Sequence, residues 1–515
     1  MLRNPWTPGA SQAVTQPELS IARYRSAQRF RVTTLFCATV AVCIAFAALT
    51  LALQFVSIVV LLTWLLVIAV AWQPRVGLFS AFGLVLLFEG GGDDDKLMLP
   101  GAYINGDLST SIGLTGVIFS PLELLLIMSL LVWLARGIAT RRLDFEGGRL
   151  QAQVYLFTIA LLVGMVRGVA AGGPFNVALW ESRFLFYAVI CYILATNTIR
   201  TRRHLRILIA IFLLTNLAFA IEGAYRRIAL IDTKIITSIP EFWYWHEDVI
   251  FLGSVILFVI AIFAYGGPRW QKLLGPVIIG VAGYTLLASE RRAGYIAVII
   301  AFLAFVIVFL GSNRKAFFTL ALPILVSGAI YMPLFWNASG PLAQPARAVR
   351  SLKDPDPRDA ASNLSRELEK INVAQTIHDN PLLGVGFGRE FEQVVAIPDI
   401  SFFVFWNVEP HHNVLWVWLK TGAPGFALFF TLMGSAVALG AHHVRRRKDP
   451  LLQTTALLAI TAVISTLVFS YVDLGLTSGR VTVFLGTCLG ALAVLDRLRD
   501  SAPIDEGTVK GLRVP

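Results

Sequence analysis

Charged residues are scarce in this sequence. Only 15% of its 515 residues are Asp, Glu, Lys or Arg, and 56% are hydrophobic. Soluble domains carry about 25% charged residues, because a folded chain of this length must cover its core with polar surface. The shortage of charge therefore excludes an ordinary soluble globular protein. It predicts a chain that crosses a membrane many times.

Cysteine is also scarce, and its spacing matches neither a metal site nor a disulfide framework. The four cysteines are Cys37, Cys43, Cys191 and Cys488, and all of them lie inside apolar runs. A free cysteine in such a run serves as a small packing residue. The polar N-terminal residues contain no apolar stretch before about residue 33, so we expect no cleaved signal peptide there.

Long apolar runs, by contrast, fill most of the chain. A membrane-spanning helix needs about 20 mostly apolar residues, and the run at 76–89 is the shortest that we include. These runs predict an all-α polytopic membrane protein with roughly 12–14 transmembrane helices. The predicted spans are 33–53, 55–72, 76–89, 119–136, 152–168, 184–198, 205–223, 248–265, 273–288, 293–311, 316–335, 424–441, 452–471 and 480–496.

Lys and Arg collect in every second loop between these spans. Arg75, Arg136, Arg200 and Arg445 mark four of the basic loops, and basic loops of membrane proteins face the cytoplasm. The same residues explain much of the net charge of +11, so no nucleic-acid partner is needed. The resulting domains are a cytoplasmic tail, a membrane bundle, a large extracytoplasmic loop, the last membrane helices and a second cytoplasmic tail. Their bounds are 1–32, 33–335, 336–423, 424–496 and 497–515.

Arginine on the predicted outer face departs from this trend. The stretch SERRAG places Glu290, Arg291 and Arg292 in a very short outer loop, where ionisable groups are costly and often mark function. Two adjacent guanidinium groups suit a pyrophosphate, because each is a planar, permanently charged fork. A pairing of Glu290 with one of the arginines, without any ligand, stays open as an alternative.

The stretch HHNVLWVWLKTGAPG begins with three polar residues and is interrupted at Gly422 and Pro424. We therefore expect residues 411–420 to form a separate short helix at the outer membrane interface. Its tryptophans, among them Trp416, would lie in the aromatic belt. His411 and His412 would begin this helix and face the outer solvent. A purely interfacial role for both histidines, without chemistry, also stays open.

Three sequence elements occur in a fixed order in the second half of the chain, over about residues 285–441. Together they resemble the O-antigen ligase and polysaccharide polymerase superfamily of membrane glycosyltransferases, whose architecture is GT-C-like. The elements are Ser289 with Arg291 or Arg292; Arg366 followed by Pro381, Gly384 and Gly386; and His412-Asn413 followed by Gly422, Pro424 and Gly425. We favour Arg292 as the arginine in the family position, because it is nearer to the start of the next helix.

The resemblance implies a metal-independent glycan transfer, without a cofactor, on the outer face of the cytoplasmic membrane. The donor would be a glycan on undecaprenyl pyrophosphate, and the acceptor a hydroxyl of another glycan, of lipid A core or of a protein. The implied catalytic residues are His412, as general base, and Arg292, which would stabilise developing negative charge. The implied substrate-binding residues are Arg291, Arg366, His411 and Asn413.

Several functions stay open at this point. The sequence does not separate a ligase from a polymerase, nor either of them from a protein O-glycosyltransferase of the same superfamily. A non-enzymatic transporter of lipid-linked glycans is the alternative from another class. A transporter should carry polar residues near the middle of its spans, often in repeated halves. Here the spans are nearly free of charge and the polar residues gather at one face, which favours the enzyme.

Overall fold

The computed structural model describes residues 55–88, 104, 106, 108, 119–141, 145–231, 246–398 and 405–498. The predicted span 33–53 and both predicted cytoplasmic tails, apart from residues 497 and 498, lie outside these ranges. The described residues form helices, turns and loops, and no β-strand occurs among them. The prediction of an all-α protein is therefore confirmed.

The helices follow the apolar runs of the sequence. Residues Arg226–Ile231 continue α6 as a π-helical turn, and Arg314–Ala316 with Phe317–Ala321 lead into α10. The helices are α1 (Phe55–Trp72), α2 (Pro74–Leu87), α3 (Pro121–Ala139), α4 (Gln151–Ala170), α5 (Phe175–Thr198), α6 (Arg202–Tyr225), α7 (Asp248–Tyr265), α8 (Arg269–Ala288), α9 (Arg292–Ser312), α10 (Leu322–Phe335), α11 (Gln344–Arg350), α12 (Pro357–Asp379), α13 (Asn413–Arg446), α14 (Pro450–Ser470) and α15 (Gly479–Ala493).

Ten helical segments in the described part of the chain are long and apolar enough to cross a membrane, and three shorter apolar helices accompany them. Each predicted span from residue 55 onwards coincides with one of these helices. The chain is a multi-pass membrane protein. The shortest predicted span, 76–89, corresponds to α2, whose inward residues such as Phe82 are fully buried.

The chain divides into two compact units, residues 1–69 and 70–515. Within the second unit, α14 lies at the centre and packs against α7, α9, α13 and α15. Residues such as Phe82, Phe212 and Phe484 form an aromatic core, in which Phe82 and Phe484 stack with centroids 6.1 Å apart. Helices α11 and α12, which are not among the candidate membrane spans, pack against α9 and α13, respectively. This packing brings the loops that carry the sequence motifs to one end of the helices.

The glycine-rich turn after α12 is a packing element. Gly384, Gly386 and Gly388 all have positive φ, as the predicted tight turn requires. A Cβ at Gly386 would collide with the backbone of Gly168 in α4. The backbone N–H of Val385 donates to the carbonyl of Leu419 in α13 at 2.8 Å. The backbone N–H of Phe387 donates to the carbonyl of Gly164 in α4 at 3.1 Å. The backbone amides of this loop are thus used inside the protein, so the turn closes α4 against α13.

The predicted break near Gly422 is present, but the surroundings of Trp416 differ from expectation. Gly422 has φ 68° and ψ −178° and kinks the long helix α13. Trp416, expected in the interfacial belt, is fully buried, so that expectation is wrong. Its indole N–H donates to Glu181 at 3.2 Å, and its ring packs edge-on against Phe387. The buried Glu181 carboxylate needs donors in the interior, and Trp416 supplies one of them.

Candidate active site

A cavity of about 170 Å³ lies where the loop between α8 and α9 meets α11, α12 and the end of α14. Its wall contains more charged residues than any predicted span, and four of them are arginines. Three arginines selected from the sequence are therefore brought together in one place. The ionisable residues of the wall are His246, Glu290, Arg291, Arg292, Arg347, Asp359, Arg366 and Asp473.

The loop between α8 and α9 turns sharply enough to direct its two arginines into the cavity. Glu290 has φ 56°, a left-handed conformation that is uncommon for a residue with a side chain and that often accompanies function. Ser289 Oγ and the hydroxyl of Tyr295 both donate to carbonyls at the end of α8, at 2.7–3.1 Å. Arg291 is the N-cap of α9 and Arg292 its first residue. The turn thus fixes the backbone positions from which both arginine side chains extend.

Arg292 contacts helices α11 and α12 through long, weak bonds. Its guanidinium lies 3.3 Å from the Asp359 carboxylate, 3.3 Å from Ser351 Oγ and 3.4 Å from Asn363 Oδ1. Among the described residues, Arg292 therefore pairs with Asp359 and not with Glu290. A guanidinium has five N–H donors in a fixed fork. Bonds of this length leave Arg292 able to exchange one of them for a stronger, charged acceptor.

Asp473 is the fixed negative charge of the cavity. Its carboxylate accepts from His246 at 2.8 Å and lies 3.4 Å from the guanidinium of Arg366. Burial alone would raise the pKa of this carboxyl, but its interactions with His246 and Arg366 outweigh burial and hold the pKa well below its ordinary range. Asp473 therefore stays ionised and anchors Arg366. The sequence reasoning missed Asp473, although an acid directly after a predicted span is the kind of signal that singled out Arg292.

His246 was also missed, and it lines the cavity directly. The Nδ1 of His246 faces Asp473, so the neutral ring donates from Nδ1 and leaves Nε2 as an acceptor. The residue stands in the loop just before the predicted span 248–265. Its position at the outer end of a span was the available signal.

His411 is held by a buried carboxylate of α12. The backbone N–H of His411 donates to Glu369 at 2.8 Å, and the ring Nδ1 lies 3.2 Å from the same oxygen. Burial disfavours the charged ring, but the hydrogen bond and the charge of Glu369 outweigh it and raise the pKa of His411. Nε2 of the neutral ring is therefore an acceptor. His411 is not part of the cavity wall.

His412 directly precedes α13 and is its N-cap residue. Its Nδ1 accepts the backbone N–H of Leu415 at 3.2 Å, and its ring packs edge-on against Tyr471 at a centroid distance of 4.4 Å. Burial lowers the pKa of His412, so the ring is neutral near pH 7. With Nδ1 accepting, the proton of the neutral ring lies on Nε2. His412 likewise lies outside the cavity wall.

Asn413 is fully buried, and both the oxygen and the nitrogen of its side chain are hydrogen-bonded. Its Oδ1 accepts the backbone N–H groups of Leu476 and Thr477 at 2.9 and 3.1 Å, and its Nδ2 donates to the carbonyl of Pro410 at 3.0 Å. The amide thus joins the start of α13 to the loop between α14 and α15. This loop also carries Asp473, so Asn413 fixes the distance between the histidine pair and the cavity.

The fold and the site define a class: a multi-pass helical membrane protein with an arginine-rich cavity at one end of its helices. Residues 277–430 match the family model of the O-antigen ligase (Wzy_C), which covers less than a third of the chain. The resemblance to the O-antigen ligase and polymerase superfamily is thereby confirmed, and it indicates glycan transfer of the ligase or polymerase type. The matched segment contains Arg291, Arg366 and His412. No curated protein matches the chain.

The donor atoms of the site suit an anion. Its arginines offer forked N–H donors to phosphate oxygens, whereas the carboxylates of Asp359 and Asp473 are already engaged by an arginine or a histidine. Among residues 55–498 that the structure describes, no group of three His, Cys, Asp or Glu side chains is placed to hold a metal ion. The arginines of the wall thus favour an anionic ligand.

Proposed function

We propose that the protein transfers a glycan from an undecaprenyl-pyrophosphate-linked donor to a hydroxyl acceptor, as an O-antigen ligase or polysaccharide polymerase. The acceptor would be a glycan or lipid A core. The reaction would take place on the outer face of the cytoplasmic (inner) membrane. The observation that carries the proposal is the gathering of four arginines in one cavity at the end of membrane-spanning helices.

The arginines would bind the pyrophosphate. Breaking the bond between the sugar and the pyrophosphate leaves negative charge on the departing oxygen, and preorganised cations lower the barrier for that step. Arg292 is our catalytic candidate, because its present contacts of 3.3–3.4 Å are weak and exchangeable. Arg291 and Arg366 would bind the remaining phosphate oxygens, and Asp473 keeps Arg366 in place.

A histidine would take the proton of the acceptor hydroxyl. The motif singles out His412, and we propose it as the general base. Its Nδ1 would first have to release Leu415 and take up the ring proton through solvent, so that Nε2 gives up that proton and can accept the one from the hydroxyl. Such a cap is worth about 0.5–2 kcal/mol, which is small beside the barrier of the reaction. The hydroxyl oxygen then forms the new glycosidic bond as the pyrophosphate leaves with the electron pair of the broken bond.

His411 is the second candidate for the base, because its hydrogen bonds already leave Nε2 as the acceptor. Otherwise it would bind and orient the acceptor from its position beside Glu369. Asn413 was expected to touch the substrate. Its buried, hydrogen-bonded amide favours a positioning role, in which it holds both histidines near the cavity.

The central test is turnover by the purified protein. It needs lipid-linked glycan donor, a hydroxyl acceptor, and parallel samples with and without chelator. We expect Arg292→Ala to abolish most product, and Arg350→Ala, at a partly exposed arginine outside the cavity wall, to retain it. Full activity of Arg292→Ala would remove this residue from the mechanism. Loss of wild-type activity with chelator would contradict the metal-independent reaction.

The acceptor class is decided in cells that lack the protein. A ligase leaves unattached full-length glycan on the lipid carrier, whereas a polymerase leaves single repeat units. A protein O-glycosyltransferase, the alternative within the superfamily, leaves unmodified protein instead. A lipid-linked glycan transporter without chemistry would yield no product in the purified assay, whatever the donor and acceptor.

The predicted side of the membrane has its own test. A cysteine introduced at Ser362, in the cavity wall on α12, should react with a membrane-impermeant thiol reagent in intact cells with a permeabilised outer membrane. Labelling only after lysis would place residues 336–423 in the cytoplasm and invert the predicted topology.

A further inference from the structure

A second cavity, of about 370 Å³, lies at the start of α2 between the ends of α3 and α5. Helix α2 begins at this cavity. Near the other end of α2, the carbonyl of Val85 accepts a hydrogen bond from Arg480. Arg480 also pairs with Asp248, which is close in the chain to His246 of the arginine-rich cavity. The second cavity is therefore at the opposite end of α2 from the arginine-rich site. The loops around it belong to the basic set that predicts the cytoplasmic face.

Two arginines in this cavity contact neutral groups only, within the part of the chain that the structure describes. Arg75 donates to the Gln73 side chain at 2.6 and 2.8 Å, and Arg136 donates to the carbonyl of Ala71 at 2.8 Å. The described carboxylate beside the wall is that of Glu146, and it is taken up by Arg200 at 2.8 Å and by Arg497. The described lining of the cavity thus carries a net positive charge.

The same region offers more hydrogen-bond donors than acceptors. His204 faces Arg75 with Nε2, and the backbone N–H of Arg200 with Nδ1, at 3.2 Å. A neutral imidazole accepts at one nitrogen only, so one of these donors lacks an acceptor. Helix α2 begins at Pro74 without a side-chain cap and adds the positive end of its dipole. An anionic oxygen would accept from the donor that lacks a partner and would be stabilised by the positive end of the α2 dipole.

The exposed apolar surface beside the cavity indicates where that anion comes from. Trp72, in the cavity wall, is 73% exposed, and Leu131 and Ile138 on α3 are 57% and 65% exposed. Tryptophan at the end of a span lies among lipid headgroups, and apolar helix faces of this kind contact acyl chains. A soluble phosphate would use the arginines but would not need this surface.

We propose that this cavity binds the phosphate headgroup of an acidic phospholipid of the cytoplasmic leaflet. Arg75 and Arg136 would hold the phosphate, while Trp72 and the exposed face of α3 would contact the glycerol and the upper acyl chains. Basic pockets between membrane helices on this side are suited to such headgroups. The site is independent of the proposed transfer reaction, since no residue is shared with the arginine-rich cavity.

The test compares binding of phosphatidylglycerol and phosphatidylcholine to the whole purified protein by native mass spectrometry. We expect the wild type to prefer phosphatidylglycerol. Replacing both arginines, Arg75→Gln with Arg136→Gln, should weaken that binding by about fivefold for each arginine. The control, Arg269→Gln with Arg314→Gln, removes the same charge from two exposed arginines of other basic loops and should keep the preference.

Three outcomes would overturn the proposal. They are equal binding of the two lipids by the wild type, an unchanged preference in the cavity variant, and an equal loss in the control variant. The comparison of lipids on the wild type needs no substitution, so it decides even if the cavity variant does not fold. Inorganic phosphate that displaces phosphatidylglycerol from the wild type at millimolar concentration would assign the cavity to a soluble anion instead.

Discussion

The arginine-rich cavity and the buried cluster around Lys420 both hold charges inside a membrane protein, but they hold them differently. Lys420 lies 2.8 Å from Glu181 and donates to the carbonyl of Arg389 at 2.6 Å, and the side chains of Lys420 and Glu181 are fully buried. Glu181 also accepts from Trp416 and from the backbone of Gly388. In the cavity, by contrast, Arg292 is partly exposed and its bonds are 3.3–3.4 Å long.

The difference separates charges that brace the fold from charges that are available to a ligand. The bonds of Lys420 tie α5 and α13 to the glycine-rich turn, so this cluster completes the scaffold under the site. The cavity has several arginines around one buried carboxylate, Asp473, and its long bonds can be exchanged. A charged residue at membrane depth therefore indicates function only when its hydrogen bonds are not already complete.

The largest effect should come from the base, and one substitution separates its chemistry from its structural role. His412→Asn keeps an acceptor at the N-cap of α13, because asparagine is a preferred capping residue, but removes Nε2. We expect the rate to fall by about 10²–10⁴-fold with normal insertion and donor binding. His378→Asn, at an exposed histidine of α12, is the matched control and should retain activity.

The same assay includes the other two histidines of the region. His411→Asn should be milder than His412→Asn if the motif histidine is the base. If His412→Asn turns over normally, then His412 only caps α13. A large loss in His411→Asn or His246→Asn would then move the base to that histidine, each of which already has a carboxylate partner.

The second prediction concerns the bracing cluster. Lys420→Met removes the cation and leaves the buried Glu181 carboxylate without its partner. The loss of one member of a buried pair costs about 3–5 kcal/mol of stability. We expect a clearly lower midpoint of thermal unfolding in detergent, with donor affinity retained in the folded fraction.

The matched variant restores neutrality at the same place. Lys420→Met combined with Glu181→Gln should recover much of the lost stability, since no unpaired charge stays buried. If Lys420→Met unfolds at the wild-type temperature but fails to bind donor, Lys420 belongs to the binding site, and the contrast between the two regions is wrong.

A smaller effect is expected from a conservative change in the cavity. Arg292→Lys keeps the charge but loses the fork, so a bidentate contact becomes a single one. Hydrogen bonds to charged groups contribute about 1.5–3 kcal/mol, which corresponds to roughly 10–150-fold in kcat/KM. The thermal unfolding midpoint should hardly change. Unimpaired kcat/KM would show that Arg292 acts as a point charge or has no role.

The sequence predicted local features well and distant pairings poorly. Apolar run length located the helices, and the positive φ at Gly386 and the kink at Gly422 follow from glycine chemistry. His246 and Asp473 stand 227 positions apart in the chain, and no periodicity connects them. The burial of Trp416 has the same origin, since its partner Glu181 lies 235 positions away. Such pairs depend on how helices pack, which a single sequence does not encode in any local pattern.

The smallest effect, a shift of the pH profile, distinguishes the two adjacent histidines. A base must be neutral, so activity should fall as the pH drops through its pKa. Burial lowers the pKa of His412 below its ordinary value of 6.5, whereas Glu369 raises that of His411 above it. If His412 is the base, the acid limb of kcat/KM lies below pH 6.5, provided that chemistry limits the rate. Glu369→Gln should then move the limb only slightly. A limb above pH 6.5 that moves to lower pH in Glu369→Gln would assign the base to His411.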